Sequence, residues 1–311
     1  MALVLALAAA LPAPAQDEDP VELSQIAPLS SKSLLLDSSR AGDALVAVGE
    51  RGHVLVSKDN GATWEQRIVP TRSTLTGVYF HDASLGWAVG HDSVILRTAD
   101  GGATWERVNW APEDETPLFD VWFADAETGY AVGAYGTFLV TEDGGLIWDF
   151  SPIGEDDFHL HRIRAADDGT LYLAAEAGVA YRSDDDGMTW EELPSPYDGS
   201  FFGVLPLADE ALLLFGLRGH LYRSEDAGVT WQQIETGTVA MLTDAARLAG
   251  GEIVVVGLGG TVLVSTDGGR SFTRSQHLNR RGIQAITEAA NGSLLLVGEF
   301  GVATKTLSEL T

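Results

Sequence analysis

The octet SKDNGATW at residues 57–64 returns along the chain as TADGGATW (98–105), TEDGGLIW (141–148), SDDDGMTW (183–190), SEDAGVTW (224–231) and STDGGRSF (265–272). Its closing aromatics, Trp64, Trp105, Trp148, Trp190, Trp231 and Phe272, follow one another at intervals of 41, 43, 42, 41 and 41 residues. A repeat of that length, too short to bury its own core, is the mark of propeller blades stacked against their neighbours. The stretch between two boxes divides into four short runs. After Trp64 come TWEQRIV, LTGVYF, GWAVG and SVILRTAD, each rich in β-branched and aromatic residues and set off by Gly or Asp. Each blade is therefore a four-stranded antiparallel sheet, with the box between its third and outermost strands.

The chemistry of the box is conformational. Ser or Thr and Asp side chains bond nearby backbone groups and close a tight loop, while the glycine supplies positive φ. The aromatic residue then opens the outer strand and buries roughly 200 Å², on the order of 5 kcal/mol. Asp59, Asp100, Asp143, Asp185, Asp226 and Asp267 accordingly hold turns, because six equivalent positions cannot all be one active site.

Innermost strands are expected at Ser33–Ser39, Leu75–Phe80, Leu118–Phe123, Leu160–Ala165, Phe201–Pro206, Met241–Arg247 and Ile283–Ala289, which makes seven blades in an all-β ring. The seventh has SLLLVG from Ser293 and VATKT from Val302 but no box and no outer strand. The segment VELSQIAP, Val21–Pro28, is expected to supply that strand by pairing with Val302–Thr306, closing the ring and covering an otherwise open edge.

Composition narrows the class of function. A formal charge of −26, with 45 acids against 19 bases, opposes nucleic acid as a partner, since no basic run offsets the repulsion. The absence of cysteine removes disulfides, thiolate metal sites and thiol nucleophiles. Ala2–Leu11 is an uninterrupted apolar run followed by Ala13-Pro14-Ala15, an export signal with expected cleavage after Ala15. The mature chain, residues 16–311, is then a single propeller in the periplasm or an equivalent lumen. No later apolar stretch is long enough to anchor it in a bilayer.

The compound patterns GWAVG…ILRTADGGATWERV (86–108), GYAVGAYGTFLVTEDGG (129–145) and VVVGLGGTVLVSTDGG (254–269) resemble the photosystem II stability and assembly factor family of seven-bladed propellers. The resemblance runs over essentially the whole mature chain. It implies a lumenal or periplasmic helper without catalytic activity or cofactor, which binds newly made membrane protein during assembly. The same family includes relatives in bacteria that lack photosystems, so photosynthesis itself does not follow. Its members are thought to use a surface arginine cluster, whereas the 16 arginines here are scattered.

Two enzyme readings stand beside this one. A sialidase-like site needs converging arginines and usually six blades, and a glucanase-like site needs two carboxylates flanking a glycosidic bond, commonly in a cleft between two propellers. This chain offers one propeller of seven blades. His159 and His161, with Asp157 nearby, have a spacing that could hold a metal, yet no fourth ligand is visible and no metal is assigned. The Gly-x-Gly steps lie between strands and open no helix, so they lack the amide-rich terminus that binds phosphate.

The binding surface is expected on the face away from the boxes. There the turns between second and third strands vary from blade to blade: Glu50-Arg51, His91-Asp92, Ala134-Tyr135, Glu176-Ala177, Leu217-Arg218 and Glu299-Phe300. Connectors between blades add Arg72, Trp110, Tyr197, Phe201, Arg280 and Arg281, the aromatic and arginine side chains that dominate interface energetics. A monomer that takes a protein partner there, a membrane protein or a subunit of a membrane complex, is the resulting expectation.

Overall fold

In the first box the Ser57 hydroxyl donates to Asp59 Oδ1 at 2.8 Å and accepts the Gly61 N–H at 2.8 Å. Asp59 in turn accepts the Thr63 N–H at 2.8 Å and the Thr63 hydroxyl at 2.6 Å, and these bonds hold its carboxyl down to about 2. The hydroxyl bond recurs at 2.6 Å from Thr104, Thr189, Thr230 and Ser271. Only the third box departs, because Ile147 carries no hydroxyl and contributes its N–H alone to Asp143. The indoles of Trp64, Trp105, Trp148 and Trp190 each donate to a box glycine carbonyl at 3.1 Å, which fixes the ring as the chain enters the outer strand.

The computed structural model describes residues 21–154, 156–277 and 279–311. The expected signal peptide and its cleavage site lie outside them. Six antiparallel sheets have four strands and one has three, all in sequential order, so the chain is a seven-bladed propeller. The innermost strands are Leu35–Ala41, Leu75–Phe80, Leu118–Phe123, Leu160–Ala165, Phe201–Pro206, Leu242–Arg247 and Ile283–Glu288. The second strands are buried at every residue except Ala44, as strands covered by sheets on both faces must be. Apolar clusters fill the seams between blades, one of them joining Phe80 and Trp105 to valines of the first blade.

One backbone clip is repeated in all seven blades. The first residue of the turn between second and third strands donates its N–H to the carbonyl just ahead of the innermost strand: Glu50 to Leu34, His91 to Thr74, Ala134 to Pro117, Glu176 to His159, Leu217 to Ser200, Leu258 to Met241 and Glu299 to Gly282. Those turns and the blade connectors therefore share one face, and the boxes occupy the other.

The expected closing strand is not formed. Ser24 pairs with Val69, donating its N–H to the Val69 carbonyl and accepting the Val69 N–H on its hydroxyl, both at 2.9 Å. Gln66 bonds Ala27 N–H and the Gln25 carbonyl at 2.8 and 2.9 Å. Val21–Pro28 thus lies along the outer strand of the first blade, not the last. The residues that follow it close the ring. Gly301, at φ 85°, has no room for a Cβ against Ser31 and Lys32, just as Gly52 has none against Thr71 in the first connector, so residues 31–32 stand where a connector from blade 7 to blade 1 would run. Ser38 and Thr287 join the innermost strands of these blades through a 2.8 Å hydroxyl pair. Beyond Lys305 the chain turns through Leu307–Glu309 and buries Leu310 between blades 6 and 7.

The ring is also tied at its centre. Asp37, Asp120 and Asp244 sit at the same offset in the innermost strands of blades 1, 3 and 6. Each accepts the N–H of the next blade's innermost strand, Val78 at 2.9 Å, Ile163 at 3.0 Å and Ile286 at 3.0 Å. Arg162 reaches all three carboxylates, at 3.8, 3.6 and 3.6 Å. Burial alone would lower the Arg162 pKa, but Asp120, Asp244 and Asp37 hold it above the usual arginine range. Burial pushes the Asp37 carboxyl up to about 7 against the pull of Arg162, with Asp244 and Asp120 adding to the rise.

Candidate functional site

The bulge near the start of each innermost strand turns one residue toward the face that carries the clips. In blades 3, 4 and 5 that residue is Phe119, His161 and Phe202. Their rings form a shelf, with Phe119 5.6 Å from His161 and His161 4.7 Å from Phe202. At the equivalent positions Thr76 and Thr243 bend sideways, and their hydroxyls bond the Leu118 and Ile283 carbonyls of neighbouring blades. Blades 1 and 7 carry Leu36 and Gln284 there, so the aromatic rings at this position come from three consecutive blades.

Tyr135, 61% exposed on the blade 3 turn, extends the shelf outward with its ring 5.1 Å from His159 and edge-on to it. Glu176 fixes His159 from the next turn, accepting its backbone N–H at 2.9 Å and lying 3.3 Å from Nδ1. Burial, with His159 adding to it, pushes the His161 imidazole down to about 4, so at neutral pH it is an uncharged flat ring among aromatics. The surface suits apolar or aromatic side chains, and Glu176 at its edge suits a hydrogen-bond donor or cation.

The remaining expected residues are spread around the same face. Arg51 and Arg218 are exposed at φ 57° on their turns, while Glu50 is half-buried. Arg72 is tied down by Leu23 O at 2.9 Å and Glu22 at 3.4 Å. Asp92 accepts the Ser73 hydroxyl at 2.6 Å beside an exposed His91. Trp110 lies under Arg107 at 4.2 Å. Tyr197 packs on His220 at 4.2 Å. Glu299 takes the Gly282 N–H at 3.0 Å, Phe300 stacks on His277 at 5.3 Å, and Arg280 and Arg281 stand exposed next to them. The expected residues thus gather in separate groups: Arg72, Asp92 and Trp110 around one cavity, Arg280, Arg281, Glu299 and Phe300 by blade 7, and Tyr135 and Glu176 on either side of His159. Phe201 is a correction: it is 0% exposed, packed against Tyr222, because it anchors the innermost strand of blade 5 and leaves the face to Phe202.

Sequence reasoning missed Phe119, His161 and Phe202 as a group, although all three stand one place after the buried anchor of an innermost strand, a position open to direct comparison between repeats. His159 and His161 are engaged with Glu176 and with neighbouring rings, and among the described residues no group of three or more His, Cys, Asp or Glu is arranged to hold a metal. The carboxylates of Asp92, Glu176 and Glu299 on this face each serve as backbone or hydroxyl anchors. Among the described residues no helix is long and apolar enough to cross a membrane.

The model of the family described as photosynthesis system II assembly factor YCF48 matches residues 56–119 and 108–302. Among curated proteins none matches the chain. Among solved structures, one titled YCF48 bound to D1 peptide superposes with a TM-score of 0.73 at 19% identity, over 94% of this chain and 96% of that one. YCF48 from Cyanidioschyzon merolae gives 0.72 at 20% identity, over 93% and 99%. A streptogramin B lyase gives 0.75 at 14% identity, over 91% and 96%, a likeness of fold alone.

Proposed function

The chain belongs to the YCF48 family of photosynthesis system II assembly factors, and from that premise we propose that it is a non-enzymatic binding protein that holds an extended segment of a membrane-complex subunit during assembly. The segment lies on the face that carries the connectors, with its apolar side chains over Phe119, His161, Phe202 and Tyr135. The observation that carries this reading is the shelf itself: five rings from three consecutive blades, Phe119, Tyr135, His159, His161 and Phe202, adjoin on this face. A relative's structure bears a peptide, which supports an extended ligand here.

The protein acts as a monomer in the periplasm or an equivalent lumen, beginning at Gln16. Intact-mass measurement of exported protein tests that start. The binding reading is tested by affinity purification of the mature protein from solubilised membranes beside a Phe119→Ala/Tyr135→Ala/Phe202→Ala variant. A membrane-complex subunit should co-purify with the former and be lost with the latter at an unchanged unfolding midpoint. Equal recovery with both would overturn the reading.

A further inference from the structure

On the box side of the ring, between blades 3 and 4, lies an open groove of about 720 Å³. Its floor is Tyr130, whose hydroxyl donates to the Asp186 carbonyl of the next blade at 2.5 Å. Three apolar side chains stand around it, Ile147 at 65%, Phe150 at 62% and Met188 at 82% exposure.

Two side chains of its walls, Ile147 and Phe150, depart from the repeat in the same sense. At the residue before the box, blades 2 and 5 place Arg97 and Arg223, which bond the following blade's box carbonyls at 2.8 and 3.0 Å and cover the seam. Blades 1, 3 and 6 have valine there; Val56 and Val264 are buried, whereas Val140 is half-exposed and the seam beside it stays open. Two residues past the box aromatic the other blades carry Gln66, Arg107, Glu192, Gln233 and Arg274, where blade 3 has Phe150. The seventh box position is Thr or Ser in five boxes, and each donates a 2.6 Å bond to the box aspartate. Ile147 gives up that bond and exposes a branched hydrocarbon in its place. For an isolated chain both changes are unfavourable, one losing a charge-assisted hydrogen bond and the other leaving apolar area in water.

The rim decides what covers the groove. Its lining includes Glu142, Asp143, Asp149 and Asp186 and no basic residue. Asp143 is committed to its box, but Glu142, Asp149 and Asp186 are exposed. We propose that this groove binds a short extended peptide with bulky apolar side chains flanked by lysine or arginine, the apolar side chains lying between Ile147, Phe150 and Met188 over Tyr130. It is a second binding surface, on the face opposite the aromatic shelf and independent of it.

The test is fluorescence anisotropy with a dye-labelled KKLFLKK peptide, and with EELFLEE and KKSGSKK as controls. KKLFLKK should saturate, with affinity falling as salt is added, and neither control should saturate. Ile147→Thr and Phe150→Gln should each weaken binding at least tenfold, and Tyr135→Ala should leave it unchanged. Ile147→Thr should at the same time raise the unfolding midpoint, because the restored hydroxyl can reach Asp143, so loss of binding cannot be put down to misfolding. Equal binding by both variants, saturation by KKSGSKK, or a dimer in light scattering that Ile147→Thr abolishes would overturn the proposal.

Discussion

The guanidinium of Arg162 on blade 4 lies 3.8 Å from the carboxylate of Asp37 on blade 1, three blades away around the ring. With Asp120 and Asp244 in the same reach, one cation holds three carboxylates, each of which bonds the backbone of the neighbouring blade. Removing the cation leaves those charges buried together. Arg162→Met should therefore cost about 3–5 kcal/mol in denaturant unfolding, whereas a loss below about 1 kcal/mol would show that the cluster has no structural weight.

Asp37 gives that cluster a pH dependence of known sign. Its folded pKa, near 7, exceeds the 3.8 of a free carboxyl, so its contribution is full below about pH 4 and is lost as pH rises through 7. The box aspartates run the other way: Asp59, held down to about 2, contributes above about pH 4 and loses its contribution as pH falls through 2. Asp37→Asn should flatten the fall in melting temperature between pH 4 and 7 and leave the acid limb unchanged. A parallel offset at every pH would contradict this.

Trp105 is 8% exposed and sits edge-on to Phe80 at 6.0 Å, with its indole tied to Gly102. Trp105→Ala should cost about 3–5 kcal/mol, read by chemical denaturation. A loss under about 1 kcal/mol would show that the box aromatic does not pack as a core residue.

The ring was legible in the sequence because the box repeats at a nearly fixed interval and each blade alternates strand with turn. Four of the seven innermost strands, beginning at Leu75, Leu118, Leu160 and Phe201, have the expected bounds. The N-terminal segment was misplaced because its likeness to WEQRIVP spoke for a strand and not for which edge it meets. Ser24 and Gln66 settle that through contacts between residues about 40 positions apart. Convergence at the centre was hidden for a similar reason. Asp37, Asp120 and Asp244 share an offset that can be read by eye, but only a closed ring brings them to Arg162. On the connector face, alternation identified Tyr135 and Glu176, while the rings beside them come from strand positions that a search confined to turns and connectors passes over.

The binding face is tested most directly by site-specific photocrosslinking. A benzophenone side chain is placed at Tyr135 on the shelf or at Thr63 in a box, and solubilised membranes are irradiated and the adducts sequenced. The expected result is an adduct at position 135 to one extended segment of a membrane-complex subunit, competed away by the unlabelled mature protein, with none at position 63. An adduct at position 63 alone, or adducts at position 135 that include no membrane-complex subunit, would contradict the assignment of the shelf as the partner site.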